Sequence, residues 1–328
     1  MPRRSNRRAF LHAAGATGAG LLATAHPLAQ APAAATGASA APATARTMGA
    51  RFRELLRRGE PFEAMAAYDV FTARMVEVMG YPALFLGGSL VGDFYAEPDW
   101  LTTLTDRVEY ARQICANVDI PAMADIDDGG DPMVIYRVTK QYEKARAGAI
   151  HILDDATGPM GQQIGVIPVD KMVDKIHAAV DARSDLVVTV RCTAATQAGR
   201  ESKERAIERG VAYAAAGAET IWFMGMTFDD LPRVAAAVKV PLTAQLLMDT
   251  TMATAKASRV TVAVYASLLQ NIAQSAVYDA LVELKTTGTM KKSAGGVRLG
   301  GRIPADVRAT ITRADEIAAR GKKYNVGR

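Results

Sequence analysis

Eight short β-prone runs, interleaved with stretches of helical period, constrain this chain more than any other feature. The runs cover residues 61–67, 83–86, 120–127, 149–154, 186–191, 220–224, 241–247 and 260–265. Between them, residues 70–79, 106–117, 134–147, 169–182, 203–216 and 230–238 place apolar side chains at intervals of three and four, and residues 268–286 follow the last run in the same way. Strand and helix alternating eight times predict an α/β fold, a (β/α)8 TIM barrel over residues 51–290. Residues 291–328 read as a loop and a C-terminal helical extension, with Pro304 near the start of the helix. The first run is not followed by a Gly-x-Gly-x-x-Gly turn, which argues against a dinucleotide-binding sheet.

The N-terminus is of another kind. Arg3, Arg4, Arg7 and Arg8 precede a short apolar run, and Ala29-Gln30-Ala31 follows as a cleavage-type triplet. The run is too short to span a bilayer, which takes roughly 20 residues, so no stable membrane anchor is expected. Asn6-Arg7-Arg8-Ala9-Phe10-Leu11 resembles a twin-arginine export signal, implying a signal peptide over residues 1–31 and an exported, periplasmic chain. Residues 32–50 read as an Ala/Pro-rich linker. Without residues 1–31, Lys plus Arg falls from 39 to 35 while Asp plus Glu stays at 34, so the net charge drops from +5 to about +1. No basic stripe with interleaved aromatics is present, and nucleic-acid binding is not expected. Cys115 and Cys192, the two cysteines, read as buried free thiols rather than a disulfide framework.

Barrel enzymes carry their chemistry at the carboxyl ends of the strands. There this sequence places Tyr68-Asp69, Gly87-Gly88-Ser89, Asp125, Asp127-Asp128, Asp154-Asp155, Arg191, Met224, Gln245 and Tyr265. Polar turns account for some of these, but not for Asp125 and Arg191 directly after apolar strand residues, since an unpaired buried charge is costly. Strand alternation predicts that Asp125 and Asp127 face the same side. Two carboxylates at one point repel unless a cation or a proton lies between them, and hard oxygen donors completed by water suit Mg²⁺, with Mn²⁺ as the alternative. A calcium loop is rejected because its twelfth position is Tyr136 and a strand precedes it. A solvated acidic turn is the plainer alternative.

Several motifs occur in a consistent order between about residues 55 and 290. They are Ala67-Tyr68-Asp69 with Thr72-Ala73-Arg74, Pro98-Asp99 with Leu101-Thr102-Thr103, the Asp-x-Asp-x-Gly strand end, residues 148–154, residues 178–183, and Ala206-Ile207-Glu208-Arg209 leading to Tyr213. Together they resemble the isocitrate lyase and phosphoenolpyruvate mutase superfamily. The resemblance implies a homo-oligomer, often with a C-terminal helix exchanged between subunits, acting on a small carboxylate. It implies Asp125 and Asp127 as metal-site ligands, Arg191 as the partner of the substrate carboxylate, and Tyr68 with the amides around Gly87, Gly88 and Ser89 at the other end of the substrate. Asp99 matches a family aspartate on a loop near the site, and Gln245 stands where the family has Asn.

The departures narrow the chemistry. Leu153 and Met224 occupy positions where the family has Glu, and residues 158–165 lack the Cys and His of the lyase loop. A metal site and an arginine clamp without a strong acid/base suit decarboxylation, or simple enolate formation, better than aldol cleavage. The expected activity is C–C cleavage of a 2-oxo or 2-hydroxy (di)carboxylate through an enolate. A phosphonate C–P enzyme and a non-catalytic carboxylate-binding barrel are the alternatives. Asp128, Asp154 and Asp155 are candidates for proton handling, and His151 reads as a structural residue.

Overall fold

The computed structural model describes residues 46–295 and 301–324. The expected export signal and the expected linker up to residue 45 lie outside the described residues, as do residues 296–300 and 325–328. From Met48 the chain runs through α1 (Met48–Arg57), β1 (Phe62–Ala66), α2 (Val70–Val78), β2 (Ala83–Leu86), α3 (Gly88–Tyr95), α4 (Leu104–Cys115), β3 (Ala122–Asp125), α5 (Pro132–Lys144) and β4 (Ala149–Leu153). A hairpin of β5 (Asp155–Thr157) and β6 (Gln163–Val166) follows, then α6 (Val169–Ala182), β7 (Val187–Cys192), α7 (Lys203–Ala215), β8 (Thr220–Phe223) and α8 (Leu231–Val238). β9 (Leu242–Gln245), α9 (Met252–Ala257), β10 (Val260–Tyr265), α10 (Leu268–Thr287), α11 (Lys291–Ala294), α12 (Ala305–Ile311) and α13 (Ala314–Lys323) complete it.

Eight parallel strands close in the order β1-β10-β9-β8-β7-β4-β3-β2, the expected TIM barrel. Each strand is buried on both faces, so alternation sorts its side chains into two cores. Outward residues such as Leu84, Ile150, Val188 and Ile221 pack beneath the helices. Inward residues, among them Phe62, Phe85, Met123, Val187, Trp222 and Val262, fill the barrel. The strand register sets polar groups above them. His151 Nδ1 lies 2.9 Å from Thr189 Oγ1, and Thr220 Oγ1 lies 2.9 Å from Thr243 Oγ1, all four residues fully or almost fully buried. Buried polar groups that pair in this way avoid the cost of lost hydration.

α1 closes the opposite, amino-terminal mouth and corrects the expected linker, which ends before Met48. Thr47 caps it by accepting from Ala50 N–H at 3.1 Å. Phe52, Leu55 and Leu56 then share one face and join the inner core, Phe52 edge-on to Phe62. Arg53 on the same helix grips Glu219 at 2.5 and 3.0 Å and Asp185 at 2.5 Å, pinning the plug to loops beneath β7 and β8.

Residues 158–162 connect β5 to β6 and residues 163–165 lie in β6, a hairpin antiparallel from Asp155↔Val166. The expectation for the C-terminus is corrected as well. The single C-terminal helix is two, α12 and α13, broken where Arg313 takes φ 54°. α12 rests on α2 of its own chain, with the Arg74 guanidinium donating to the carbonyls of Thr310 and Ile311 at 3.2 and 3.3 Å. The helix left without cover is α10, in which Gln270 is the one buried residue. The cysteines are free and buried, as the sequence indicates.

Glu143, in the last turn of α5, accepts from the backbone N–H groups of Ser184, Asp185 and Leu186 at 2.6–3.0 Å and fixes the turn into β7. Burial alone would raise its pKa, but these donors outweigh burial and hold the carboxyl below its ordinary 4.5. Its contribution is therefore complete above pH 4.5 and is lost as pH falls through the folded-state value. Glu143→Gln is expected to lower the urea midpoint at pH 7 and to approach wild type in acid. Parallel losses at both pH values would refute this role.

Candidate active site

The carboxyl ends of the strands gather the charged groups. Asp125 closes β3, is buried, and lies one strand away from Arg191 on the same inward face, since Asp125 registers with His151 and His151 with Thr189, two residues before Arg191. The expectation for Asp127 is corrected in its reason. β3 ends at Asp125, and Asp127 takes φ 59°, so a turn and not strand alternation brings it back. Its backbone N–H donates to Asp125 Oδ1 at 2.8 Å.

Sequence reasoning missed Arg107. It lies on α4, is 3% exposed, and its guanidinium donates to Asp99 Oδ1 at 2.5 Å, to the Asp99 carbonyl at 3.1 Å and to Asp127 Oδ2 at 3.3 Å. Nothing in the spacing of α4 separates Arg107 from the solvated Arg112, and only its inward placement does. Asp99, in the helical turn Asp99–Leu101, is thereby tied to the β3 loop. It also lies against the N-terminus of α3. A Cβ at Gly88 would come 2.6 Å from both carboxylate oxygens of Asp99, so only glycine allows this approach. Gly87 and Gly88 are buried where α3 begins, and the free backbone N–H groups of that first turn suit an anion. Ser89 is exposed, and its hydroxyl lies 2.8 Å from that of Ser267, the turn before α10.

The other residues divide. Tyr68 follows β1 and is half-buried against the outer core, while Asp69 caps α2 by accepting from Thr72 N–H at 2.6 Å. Gln245 ends β9, half-buried. Asp155 stands 3.8 Å from Arg191 and accepts from Gln163 Nε2 at 3.1 Å. Asp154 is neither a helix cap nor a surface group. Fully buried, it accepts from Thr193 N–H and hydroxyl and from Tyr213 OH at 2.8–2.9 Å, which commits its oxygens to holding the loop after β7. His151 is boxed edge-on by Phe85 and tilted against Trp222, and burial pushes its pKa down to about 4, so it is a neutral core residue. Asp128 accepts from Gly130 N–H at 2.9 Å, shaping its own turn.

Electrostatics bind the cluster together. Burial would raise Asp125, but Arg191, His151 and Arg107 keep its carboxyl below the ordinary range. Burial and then Asp125 push Asp127 up to about 6. Burial also raises Asp99 against the pull of Arg107, and Asp155 against Thr193 and Arg191. Four carboxylates (Asp99, Asp125, Asp127 and Asp155) thus face two guanidiniums, an excess that a divalent cation would balance. Magnesium takes one or two carboxylates and keeps water, which the pair Asp125 and Asp127 fits. Among the described residues no group of three or more His, Cys, Asp or Glu could enclose an ion, so this is no all-protein cage. Arg107 and Arg191 each retain a buried nitrogen without a partner, Nη1 and Nε, as donors for an anionic ligand.

Comparison with known proteins places the family and the fold. A family model described as phosphoenolpyruvate phosphomutase matches residues 52–285. The chain is 33% identical over 210 residues to a 2-methylisocitrate lyase of Shewanella oneidensis, covering 61% of this chain and 71% of that one. It is 34% identical over 197 residues to an oxaloacetate decarboxylase of Chromohalobacter salexigens, covering 58% and 68%. A crystal structure of phosphonopyruvate hydrolase complexed with oxalate and Mg²⁺ superposes with a TM-score of 0.74 at 27% identity, over 85% of this chain and 99% of that chain.

Removing the buried cation tests the cluster. Arg107→Met leaves Asp99 and Asp127 uncompensated, and should cost about 2 kcal/mol of unfolding free energy, less than the loss of a fully buried pair because both carboxylates stay partly wet. Denaturant melts of wild type, Arg107→Met and the double variant with Asp99→Asn would measure this. An unchanged Arg107→Met midpoint would mean that the guanidinium does not hold the cluster.

Proposed function

The chain belongs to the phosphoenolpyruvate phosphomutase family, and on that ground we propose that it is a Mg²⁺-dependent lyase that forms an enolate from a small 2-oxo or 2-hydroxy (di)carboxylate by C–C cleavage. One observation carries the reading: Asp125 on β3 and Arg191 on β7, one strand apart, stand at the carboxyl mouth of a closed barrel with an unbalanced excess of carboxylates around them. The relatives support it, being a lyase and a decarboxylase of small carboxylic acids by name.

Asp125 and Asp127 would hold the ion, with Mn²⁺ an acceptable substitute. When bound, magnesium supplies a Lewis acid for the developing oxyanion. Arg191 presents its planar fork to the substrate carboxylate, oriented by Asp155 behind it. The amides at the start of α3, around Gly88 and Ser89, and the Tyr68 side chain receive the distal end of the substrate. Gln163, which donates to Thr193 Oγ1 at 2.7 Å and to Asp155, keeps the hairpin in place over this mouth. In cleavage the electron pair of the broken C–C bond passes into the 2-oxo group. The carboxylate that is lost is already ionised and departs as neutral carbon dioxide, so no base is needed to release it, which fits apolar Leu153 and Met224 in the mouth. Proton return to the enolate carbon falls to solvent or to Asp155.

The test pairs binding with turnover. Thermal shift should show stabilisation that requires Mg²⁺ and oxalate together, because oxalate mimics the two adjacent oxygens of pyruvate enolate. Oxaloacetate, corrected for its metal-catalysed background decay, should yield pyruvate, and Asp125→Ala should reduce that rate by about a hundredfold or more. Phosphorus NMR showing C–P to O–P exchange would move the activity to phosphonates. Joint binding with no turnover of any 2-oxo acid would leave a carboxylate-binding barrel.

The same reading includes a homo-oligomer. On α10, Ile272, Val277, Tyr278, Leu281, Val282 and Leu284 are 41–67% exposed, an apolar surface larger than a solitary helix tolerates in water. A second copy of the chain is the occupant we assign to it, in keeping with the homo-oligomer that the family resemblance implies, although the helix expected to be exchanged was the C-terminal one. Analytical ultracentrifugation should find a dimer or larger species for the wild type, and Leu281→Glu with Ile272→Glu should release monomer. A wild-type monomer at micromolar concentration would overturn this assignment.

A further inference from the structure

The barrel mouth is not uniform around its rim. On the β3 side a cleft of about 440 Å³ is lined by Arg107, Asp127 and Asp128 beneath Trp100 and Met160, and is charged. Across the mouth the strands part. β8 stays with β7 through Cys192↔Phe223 and a further bond from Met224 N–H to the Cys192 carbonyl at 2.9 Å. β9 stays with β10 through Val264↔Gln245 and a bond from Leu246 N–H to the Val264 carbonyl at 2.9 Å. Between β8 and β9, however, pairing ends at Trp222↔Thr243. Above that pair the two halves of the barrel splay, and the gap is a cavity of about 210 Å³.

Its lining is apolar. Met224, Met226, Phe228, Ala244 and Leu247 surround it, and among all its lining residues there is no Asp, Glu, Lys or Arg. Gly225 makes the turn that folds Met226 and Phe228 back over the gap, at φ 79° and with a Cβ position only 2.4 Å from the Ala195 carbonyl oxygen, so the turn admits no side chain. The cavity adjoins the strand that carries Arg191. Trp222 lines it and is the ladder neighbour of Arg191, and Gln245 lines it at the end of β9. A space of roughly 150 Å³ with such a lining is enough for benzene. It begins one to two strand spacings from the arginine clamp, about 5–10 Å. Methionines suit it to an irregular alkyl or aryl group.

We propose that this splayed β8–β9 gap is a substrate subsite, and that the chain acts on 2-oxo or 2-hydroxy acids bearing an alkyl or aryl group on or beyond C3. The inference rests on the reading of Asp125 and Arg191 as the acid-binding site. The carboxylate end lies at Arg191 and Asp125, and the apolar group lies against Met224, Met226 and Phe228. Met224, which takes the place of a family Glu, then acquires a purpose: it turns one wall of the mouth from charged to apolar.

Calorimetric titration in saturating Mg²⁺ separates this from the parent reading, with oxalate, pyruvate, 2-oxopentanoate, 4-methyl-2-oxopentanoate and phenylpyruvate as probes. Affinity should rise by about three- to fourfold for each methylene that enters the cavity, so 4-methyl-2-oxopentanoate should bind at least tenfold more tightly than pyruvate. Ala244→Leu, which fills the gap, should erase that difference, with oxalate affinity reporting whether the acid site survives. Leu247→Gln, at an exposed lip where folding is not at risk, should reduce the difference severalfold. Oxalate binding with affinity flat or falling along the series would overturn the subsite and leave the acid site standing. No oxalate binding would overturn the parent reading and this inference with it.

Discussion

Closure of eight short parallel strands sets the terms for everything else in this molecule. With both faces of every strand buried, the inward side chains must fill a narrow interior, and charge is admissible only where that interior opens. One opening is stopped by the Phe52 face of α1, locked by Arg53 to Glu219 and Asp185. The other is left to Asp125 and Arg191, standing above a polar waist of His151, Thr189, Thr220 and Thr243. The site is therefore where the packing rules of the barrel run out, and its polarity follows from the same alternation that builds the core.

Within the mouth, charge balance organises the loops. Arg107, from a helix, ties Asp99 of the turn after α3 to Asp127 of a left-handed turn, while Arg191 on β7 stands beside Asp155 of the hairpin. The two guanidiniums thereby gather segments that are separate in the sequence. The same cluster retains more negative than positive groups, which gives a divalent cation reason to bind without a complete protein cage. The carboxylates of Asp154 and Glu143, by contrast, are spent on hydroxyl and backbone donors, so acidic residues of similar appearance in the sequence serve different ends.

The family match over residues 52–285 and the likeness to relatives of 33–34% identity agree with the barrel. The differences lie in the residues that meet the substrate. Leu153 and Met224 face inward beside Arg191 and Trp222, and the mouth is charged on one flank and apolar on the other. A shared scaffold with altered rim residues is how barrels of this kind change substrate, because strand ends tolerate replacement while strand interiors do not.

The sequence by itself determined the strand and helix order, the barrel, the two free cysteines and the candidates Asp125, Arg191 and Gln245, because those depend on local period and on residue type at strand ends. Strands at 83–86 and 260–265 and the helix at 169–182 occur with the bounds read from the sequence. Tertiary structure alone decided what depends on distant partners. α1 became a plug because its apolar face meets the inner core, and Arg107 became part of the site because α4 packs with that side inward. Asp127 reached the site through a left-handed turn that no strand pattern encodes. The β8–β9 gap arose because each of those strands keeps pairing with its other neighbour after they part, and that is a property of the closed sheet rather than of any segment of it.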